Sequence, residues 1–252
     1  MAPRLPSLPA PFRWEGEHIA AELPGARALF TSRHGGVSPA PFDSLNLGRL
    51  TDDAGTNVDA NRERLAAAVG LPRERFLYGR QVHGARVRRA SEPPGPERPA
   101  EDEDGQATAL RDAAALVFAA DCLPIVLAAG GAVAALHGGW GGLAGGIVAE
   151  GVLALREVGG EGPVSAAIGP CARGCCYEVG EDRFEHFAHV PEARVGQRNL
   201  DLPAVARHDL AEAGVAEVHD LGLCTICRPD LFFSHRADGG VTGRQAGVVW
   251  RA

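Results

Sequence analysis

Short apolar runs separated by Gly- and Pro-rich turns dominate this chain and predict more strands than helices. "ARALFTSRHGGVS" reads as a strand ending in a Gly turn, and "PFDSLNLG" as a loop with Asx and Ser turn chemistry. "NVDANRERLAAAVGL" predicts a helix capped by Asn57 or Asp59 and ended by Gly70 before Leu71-Pro72. "RFLYGRQVHGARVRRA" reads as one or two strands around His83, and "SEPPGPERPAEDEDG" as a Pro-rich acidic loop with a solvated face. "AALVFAAD", "PIVLAAG" and "AVAALHG" follow as three buried strands. "GGLAGGIVAEGVLALREVGG" has helical apolar spacing at Ile147, Val148, Leu153 and Leu155. "VSAAIGPC" and "EVHDLGLCT" read as strands, "GEDRFEHFAHV" and "DLPAVARHDLAEAGV" as amphipathic helices. "LFFSHRADGGVTGRQAGVVWR" predicts a strand, a Gly turn and a last strand. The pattern is that of an α+β fold: a single domain with mixed, largely antiparallel sheets flanked by helices. Residues 1–12 are Pro-rich and predict an extended arm ahead of a domain over 13–252.

The longest apolar run, Ala113 to Leu136, could span a membrane by count. Asp121, Pro124 and Gly130-Gly131 interrupt it, so it predicts buried strands instead. A two-residue turn at Gly130-Gly131 suits positive φ and sets His137 opposite Pro124. Cys122, two residues beyond that pair, then emerges at the same end of the hairpin as His137, within ~8 Å by strand geometry. Behind His137 the glycines of "HGGWGG" open the backbone and lead into a helix N-terminus, a favourable place for an anion.

Composition narrows the chemistry. The 252 residues carry a net charge of −7 with no basic stripe, which argues against a nucleic-acid partner. All 25 basic residues are Arg, so Lys nucleophiles and Schiff bases are excluded. "MAPRLPSLPAPFRW" has Pro where a signal peptide needs an apolar run, so a cytoplasmic protein with reduced thiols and no membrane segment is expected. The six Cys are then ligands, nucleophiles or core filler. Cys122 and His137 need a third partner to hold a metal, and His83 in "GRQVHG" is the best candidate. Two His and one Cys suit a catalytic zinc with an open fourth position. Spacing alone leaves this set open between a metal centre and a buried Cys with two satisfied histidines. "CTIC" and "CARGCC" offer thiolates for a structural zinc, or simply small residues in tight turns.

Taken in order, "TSRHGGVS…SLNLG", "QVHG", "ADCLPI", "HGGWGGLAGGI", "IGPC…CCYEVG" and "FFSHRADGGVTGR" resemble the signature blocks of the laccase-domain family. Its members are also called polyphenol-oxidase-like proteins or multinucleoside purine phosphorylases. The resemblance runs from about Thr31 to Arg244. It implies the fold of the cytotoxic-necrotizing-factor and laccase-domain proteins, and zinc held by His83, Cys122 and His137. It implies phosphorolysis of adenosine, inosine and 5′-methylthioadenosine to the free base and a ribose 1-phosphate, and adenosine deamination to inosine. An older reading of the family is copper-dependent polyphenol oxidation, but the chain has no His-x-His pair of the kind multicopper oxidases use. A third reading makes Cys122 the nucleophile of a Cys-His hydrolase acting on a cell-wall peptide precursor. Asp121 is a candidate proton shuttle or a turn cap. Arg33, Arg236 and Arg244 are candidates for phosphate, with Arg80 behind them, and Gln81 and Asn46 for ribose or base. His34 and His235 read as polar surface beside turns. The family usually carries Arg where this chain has Gly141 and Ala237, which removes two natural phosphate clamps. Partners are small molecules, purine nucleosides and phosphate, and the protein is expected to be a monomer or homodimer.

Overall fold

Both faces of the apolar strands around Gly130-Gly131 are buried, and the architecture follows from that. The computed structural model describes residues 5–92 and 101–252. A meander of β1 (Phe12–Glu15), β2 (His18–Leu23) and β3 (Ala26–Phe30) precedes helix α1 (Gly55–Val69). Next come β4 (Phe76–Leu77), β5 (Val87–Ala90), β6 (Gly105–Thr108) and β7 (Ala114–Ala119). The hairpin of β8 (Leu123–Gly130) and β9 (Ala132–Gly138) leads into α2 (Trp140–Ala144) and α3 (Ile147–Glu157). β10 (Glu161–Ile168), α4 (Glu181–Glu185), β11 (Arg194–Val195) and β12 (Asn199–Leu200) follow. α5 (Leu202–Glu212), β13 (Glu217–Asp220) and β14 (Gln245–Arg251) come last.

One six-stranded sheet runs β1-β2-β3-β14-β7-β4 and a second β13-β10-β8-β9-β6-β5. Neighbours are antiparallel except β4–β7, β10–β13 and β5–β6. This is the expected α+β domain with mixed, largely antiparallel sheets. Strand alternation sorts the side chains into layers. Val126 and Ala128 of β8, with Val133 and Ala135 of β9, face the first sheet and meet Phe30, Val117 and Val249. Ile125, Leu127 and Leu136 face the other way, toward Ile147, Val148 and Leu155 of α3 and Val205 of α5. Leu29, Leu116 and Val248 on the outer face of the first sheet pack on Leu65 and Val69 of α1. A strand covered on both faces reads as a continuous apolar run, which accounts for the span-like stretch in the sequence. No helix of the described residues is long and apolar enough to cross a membrane.

The hairpin register is the one expected: Pro124 pairs with His137 and Ala129 with Ala132, with Gly131 at φ 91° in the turn. Several local expectations change. α1 begins at Gly55 after Ala54, with no side-chain cap from Asn57 or Asp59, and ends at Gly70 in the left-handed conformation as expected. Leu153 is half-exposed, and Gly151 and Ala154 take its place on the buried face of α3. "GEDRFEHFAHV" forms only the short α4, with Phe184 and Phe187 anchored in the core. "LFFSH" forms no strand, because the Gln245 side chain accepts from the Phe233 N–H and donates to its carbonyl in place of a ladder. β1 and β2 lie where no strand was expected; Leu8 packs against their core, and the Trp14 indole N–H donates to the Pro6 carbonyl. Of the Pro-rich arm, residues 1–4 lie outside the described residues, as do 93–100 of the acidic loop.

The two sheets approach closely where β14 passes β8. A Cβ added at Gly247 would lie 2.5 Å from Pro124 Cβ and 3.4 Å from the Phe30 ring. A proline ring cannot rotate aside, so Gly247→Ala is expected to destabilise the fold by about 1–3 kcal/mol through overpacking. A chemical-denaturation midpoint unchanged from wild type would show that the sheets have slack to give.

Candidate active site

Three connections end at one place between the sheets. Cys122 closes the β7–β8 connection, directly after Asp121, which holds φ 93°. His137 is the penultimate residue of β9. His83 lies in the loop between β4 and β5, not at the end of a strand, with φ 61°. Positive φ is uncommon for residues with a side chain and persists where surrounding bonds enforce it.

At His83 those bonds come from Asp104. Its Oδ2 accepts the N–H groups of Val82 (3.0 Å) and Gly84 (2.9 Å), and its Oδ1 accepts that of His83 (2.9 Å). Oδ1 also lies 2.8 Å from Nδ1 of His137, and the Asp104 carbonyl accepts the His137 N–H at 2.7 Å. Burial would raise the Asp104 carboxyl, but the hydrogen bonds from His137, Val82 and Gly84 outweigh it and hold it below the usual range. This corrects the reading of the acidic run: its last two carboxylates, Glu103 and Asp104, are buried, and Asp104 is 1% exposed. The sequence carried no signal for Asp104: it sits at the end of the charge run, and the strand it precedes, β6, is the half-polar GQAT.

With Nδ1 of His137 given to Asp104, Nε2 is left to face Cys122. One ligand atom from each of His83, Cys122 and His137 falls within 4.8 Å of the other two, a compass a single ion can bridge. The two imidazole rings sit 4.9 Å apart, near edge-to-face. Burial would push the Cys122 thiol up, but the charge and hydrogen bonds of His137, then of His83, bring it down to about 6. Burial would lower His137, but Cys122 and Asp104 raise it to about 9. The two shifts describe a thiolate facing an imidazolium. Gly139 makes the approach possible, since a Cβ there would lie 2.9 Å from the His83 ring and 3.3 Å from Cys122 Sγ. Gly141, likewise, leaves 2.9 Å between an added Cβ and the His83 carbonyl, so its bare backbone seats the His83 loop.

The three side chains open onto a cavity of about 590 Å³, the size of a small-molecule site. Tyr78, Phe118, Trp140 and Tyr177 give it aromatic walls, and Arg49, Arg62, Arg80, Arg236 and Arg244 bring cations to it. Arg62 lies 4.9 Å from the Tyr78 ring and 4.8 Å from that of Phe118. Arg236 lies 4.9 Å from the ring of Tyr177.

The candidate substrate residues divide. Asp121, Gln81, Arg236 and Arg244 line the cavity, and so does His235, which had read as surface. Gln81 is fully engaged with β7, its amide donating to the Phe118 carbonyl and accepting the Phe118 N–H, both at 2.7 Å. Asp121 accepts the Thr225 hydroxyl at 2.6 Å and the Arg236 N–H at 2.8 Å. Arg33 does not line the cavity: its guanidinium binds the Asp43 and Pro229 carbonyls and packs over Phe233. Asn46 is fully buried, organising its loop through Thr51, Asp53 and the N–H groups of Gly48 and Arg244. His34 bonds the Asp230 carbonyl at 2.6 Å. Arg49 and Arg62 were missed, since an Arg in the turn before a helix or within the helix carries no sign of the face it will occupy.

The family model described as multi-copper polyphenol oxidoreductase laccase matches residues 27–252. A purine nucleoside phosphorylase of Xylella fastidiosa is 40% identical over 245 residues, covering 90% of this chain and 93% of that one. Purine nucleoside phosphorylase Rv2149c of Mycobacterium tuberculosis is 38% identical over 232 residues, covering 89% and 91%. The crystal structure of YlmD from Geobacillus stearothermophilus superposes with a TM-score of 0.88 at 34% identity, covering 96% of this chain and 99% of that one. The architecture, the six ordered sequence blocks and these likenesses agree, and the chain belongs to the multi-copper polyphenol oxidoreductase laccase family.

Proposed function

We propose that this protein is a zinc-dependent purine nucleoside phosphorylase acting on adenosine, inosine and 5′-methylthioadenosine, with adenosine deamination as a second reaction. The observation that carries the reading is the convergence of His83, Cys122 and His137 on an aromatic, arginine-lined cavity. Relatives of similar length named purine nucleoside phosphorylases support the enzyme class.

Two imidazoles and one thiolate suit zinc. A copper electron-transfer site of the same donors typically adds a weak axial Met, and this chain's single Met is Met1. Bound there, zinc would supply a water of lowered pKa or polarise a substrate oxygen. The chain's own residues do the rest. Asp104 fixes the tautomer of His137 and the backbone of the His83 loop. In phosphorolysis a phosphate oxygen bonds to the ribose anomeric carbon as the bond to the purine nitrogen breaks, and the purine takes up a proton. Arg236 and Arg244 face the cavity and are the residues we assign to phosphate, with Arg80 at the rim. Tyr177 and the Tyr78–Phe118 pair offer ring faces to the purine. In deamination water replaces the purine amine and ammonia leaves. Asp121 is the carboxylate beside Cys122 that we assign to carry a proton from the attacking water to the leaving amine, held in place by Thr225 and Arg236.

One observation favours a second reading. Cys122, His137 and Asp104 line up as nucleophile, base and orienting carboxylate, the arrangement of a Cys-His hydrolase. Such an enzyme would keep its activity after metal removal.

Three measurements test these assignments. Purified, zinc-loaded protein incubated with adenosine should give adenine and ribose 1-phosphate only when phosphate is present, and inosine with or without it. Neither product from zinc-bound protein would end the purine reading, and undiminished turnover after chelation would favour the hydrolase.

Asp104→Asn should weaken metal binding or activity by roughly 10–100-fold while the fold persists, as loss of a ligand's orienting partner does elsewhere. Wild-type zinc affinity in the folded variant would remove Asp104 from this role.

Alkylation of Cys122, followed by peptide mass in chelator-treated protein, should stay fast down to a midpoint near pH 6. The sign follows from the depressed thiol pKa: thiolate persists above pH 6 and is lost as pH falls through it, whereas an ordinary thiol has its midpoint near ~8.5. Zinc should protect Cys122 wherever the pH leaves it bound; full reactivity in zinc-loaded protein at neutral pH would contradict ligation.

A further inference from the structure

The four cysteines that the active site does not use are gathered at a second place. Cys175, Cys176, Cys224 and Cys227 lie with their sulfurs within 4.8 Å of one another. Cys175 Sγ is 3.7 Å from Cys227 Sγ and Cys176 Sγ is 3.0 Å from it, and all four are free thiols. Zinc–sulfur bonds of ~2.3 Å in a tetrahedron place the sulfurs ~3.8 Å apart. The cluster is therefore near that size before any adjustment. Cys171, the sixth cysteine, is buried and lies outside it.

The backbone builds the cluster as two turns set side by side. Residues 171 and 224 form a parallel bridge, with the Cys171 N–H donating to the Leu223 carbonyl and the Thr225 N–H to the Cys171 carbonyl. In the first turn the N–H groups of Cys176 and Tyr177 both donate to the Arg173 carbonyl. In the second the Arg228 N–H donates to the Cys224 carbonyl. Cys224 is buried while Cys175 and Cys227 are exposed, so an ion can enter from solvent and still be anchored from within.

We propose that Cys175, Cys176, Cys224 and Cys227 bind one zinc ion as a closed four-thiolate structural site, distinct from the His83–Cys122–His137 centre. Binding releases the thiol protons to solvent and changes no oxidation state. The site ties together two loops that build the cavity wall. Tyr177, which lines the cavity, follows Cys176 directly. Thr225, which follows Cys224, donates to Asp121, and the Ala172 N–H donates to the Asp121 carbonyl. The inference stands on the thiol geometry alone and does not need the purine reading.

The test counts zinc per chain by atomic emission after exchange into chelator-free buffer. Cys122→Ala removes the other centre and should keep one zinc. Cys122→Ala combined with Cys224→Ser and Cys227→Ser should keep none. Equal counts in the two variants would overturn the site. Should the triple variant not fold, Cys122→Ala loaded with cobalt decides: an intense thiolate-to-cobalt charge-transfer band with tetrahedral visible bands is expected, and their absence overturns it. A disulfide among the four cysteines in freshly purified wild-type protein, read as thiols refractory to alkylation until reduced, would also overturn it and mark the cluster as a redox pair.

Discussion

The carboxylate of Asp104 is the interaction on which the site depends. It is buried beside an imidazole, and burying a charged carboxylate costs several kcal/mol unless hydrogen bonds replace its water. Here three consecutive backbone N–H groups and the His137 ring replace it. The same bonds that make the charge tolerable also hold His83 in a left-handed conformation and fix which nitrogen of His137 faces Cys122. Three parts of the chain distant in sequence, the His83 loop, the start of β6 and the end of β9, are joined through one side chain. A neutral residue there would free all three.

The sheets explain why these parts meet. β8 and β9 lie at the centre of the second sheet, covered by the first sheet on one face and by α3 and α5 on the other. Their Ala-rich faces let the layers come close, and the Pro124–Gly247 contact is one place where the approach leaves no room for a side chain. The tight hairpin fixes the register, so Cys122 and His137 have no freedom to slide apart. Among the described residues, the non-glycine positions with positive φ both fall in connections beside the site: His83 between β4 and β5, and Asp121 between β7 and β8. Both border the cavity, and both are over-determined by hydrogen bonds, Asp104 for the first and Thr225 and Arg236 for the second.

What could be read from sequence was what local pattern dictates. The hairpin register, the three apolar strands, α1 with its glycine end and α5 each follow from periodicity and turn chemistry within one segment. The convergence of Cys122 and His137 followed as well, because a two-residue turn determines what lies opposite what. Asp104 did not, because its partners come from the adjacent strand β9 and from the loop before β5, segments distant in sequence, and a buried carboxylate in an acidic run looks like its solvated neighbours. Arg33, Asn46 and Gln81 sit in recognisable blocks, yet they spend their polar groups on backbone: Arg33 on carbonyls, Asn46 on its own loop, Gln81 on β7. A side chain that completes another segment's hydrogen bonds and one that would greet a ligand have the same residue type. Only the three-dimensional count of donors and acceptors separates them.

That count also recasts the missing arginines. The family resemblance expects cations where Gly141 and Ala237 stand. At Gly141 a side chain would press on the His83 carbonyl, so the bare backbone belongs to the seating of the His83 loop. The Ala237 N–H is taken by the Ser234 hydroxyl, within the turn that also delivers the Arg236 N–H to Asp121. Cationic character is supplied from other elements: Arg49 before α1, Arg62 within it, Arg80 in the His83 loop, and Arg236 and Arg244 from the C-terminal segment. A chain of net charge −7 thus concentrates five of its 25 basic residues around one cavity. Such local concentration favours an anionic group there while the acidic remainder repels polyanions at long range. Loss of an arginine at one position of a site need not lose the field, because the field is a sum over the walls and not the property of a single motif.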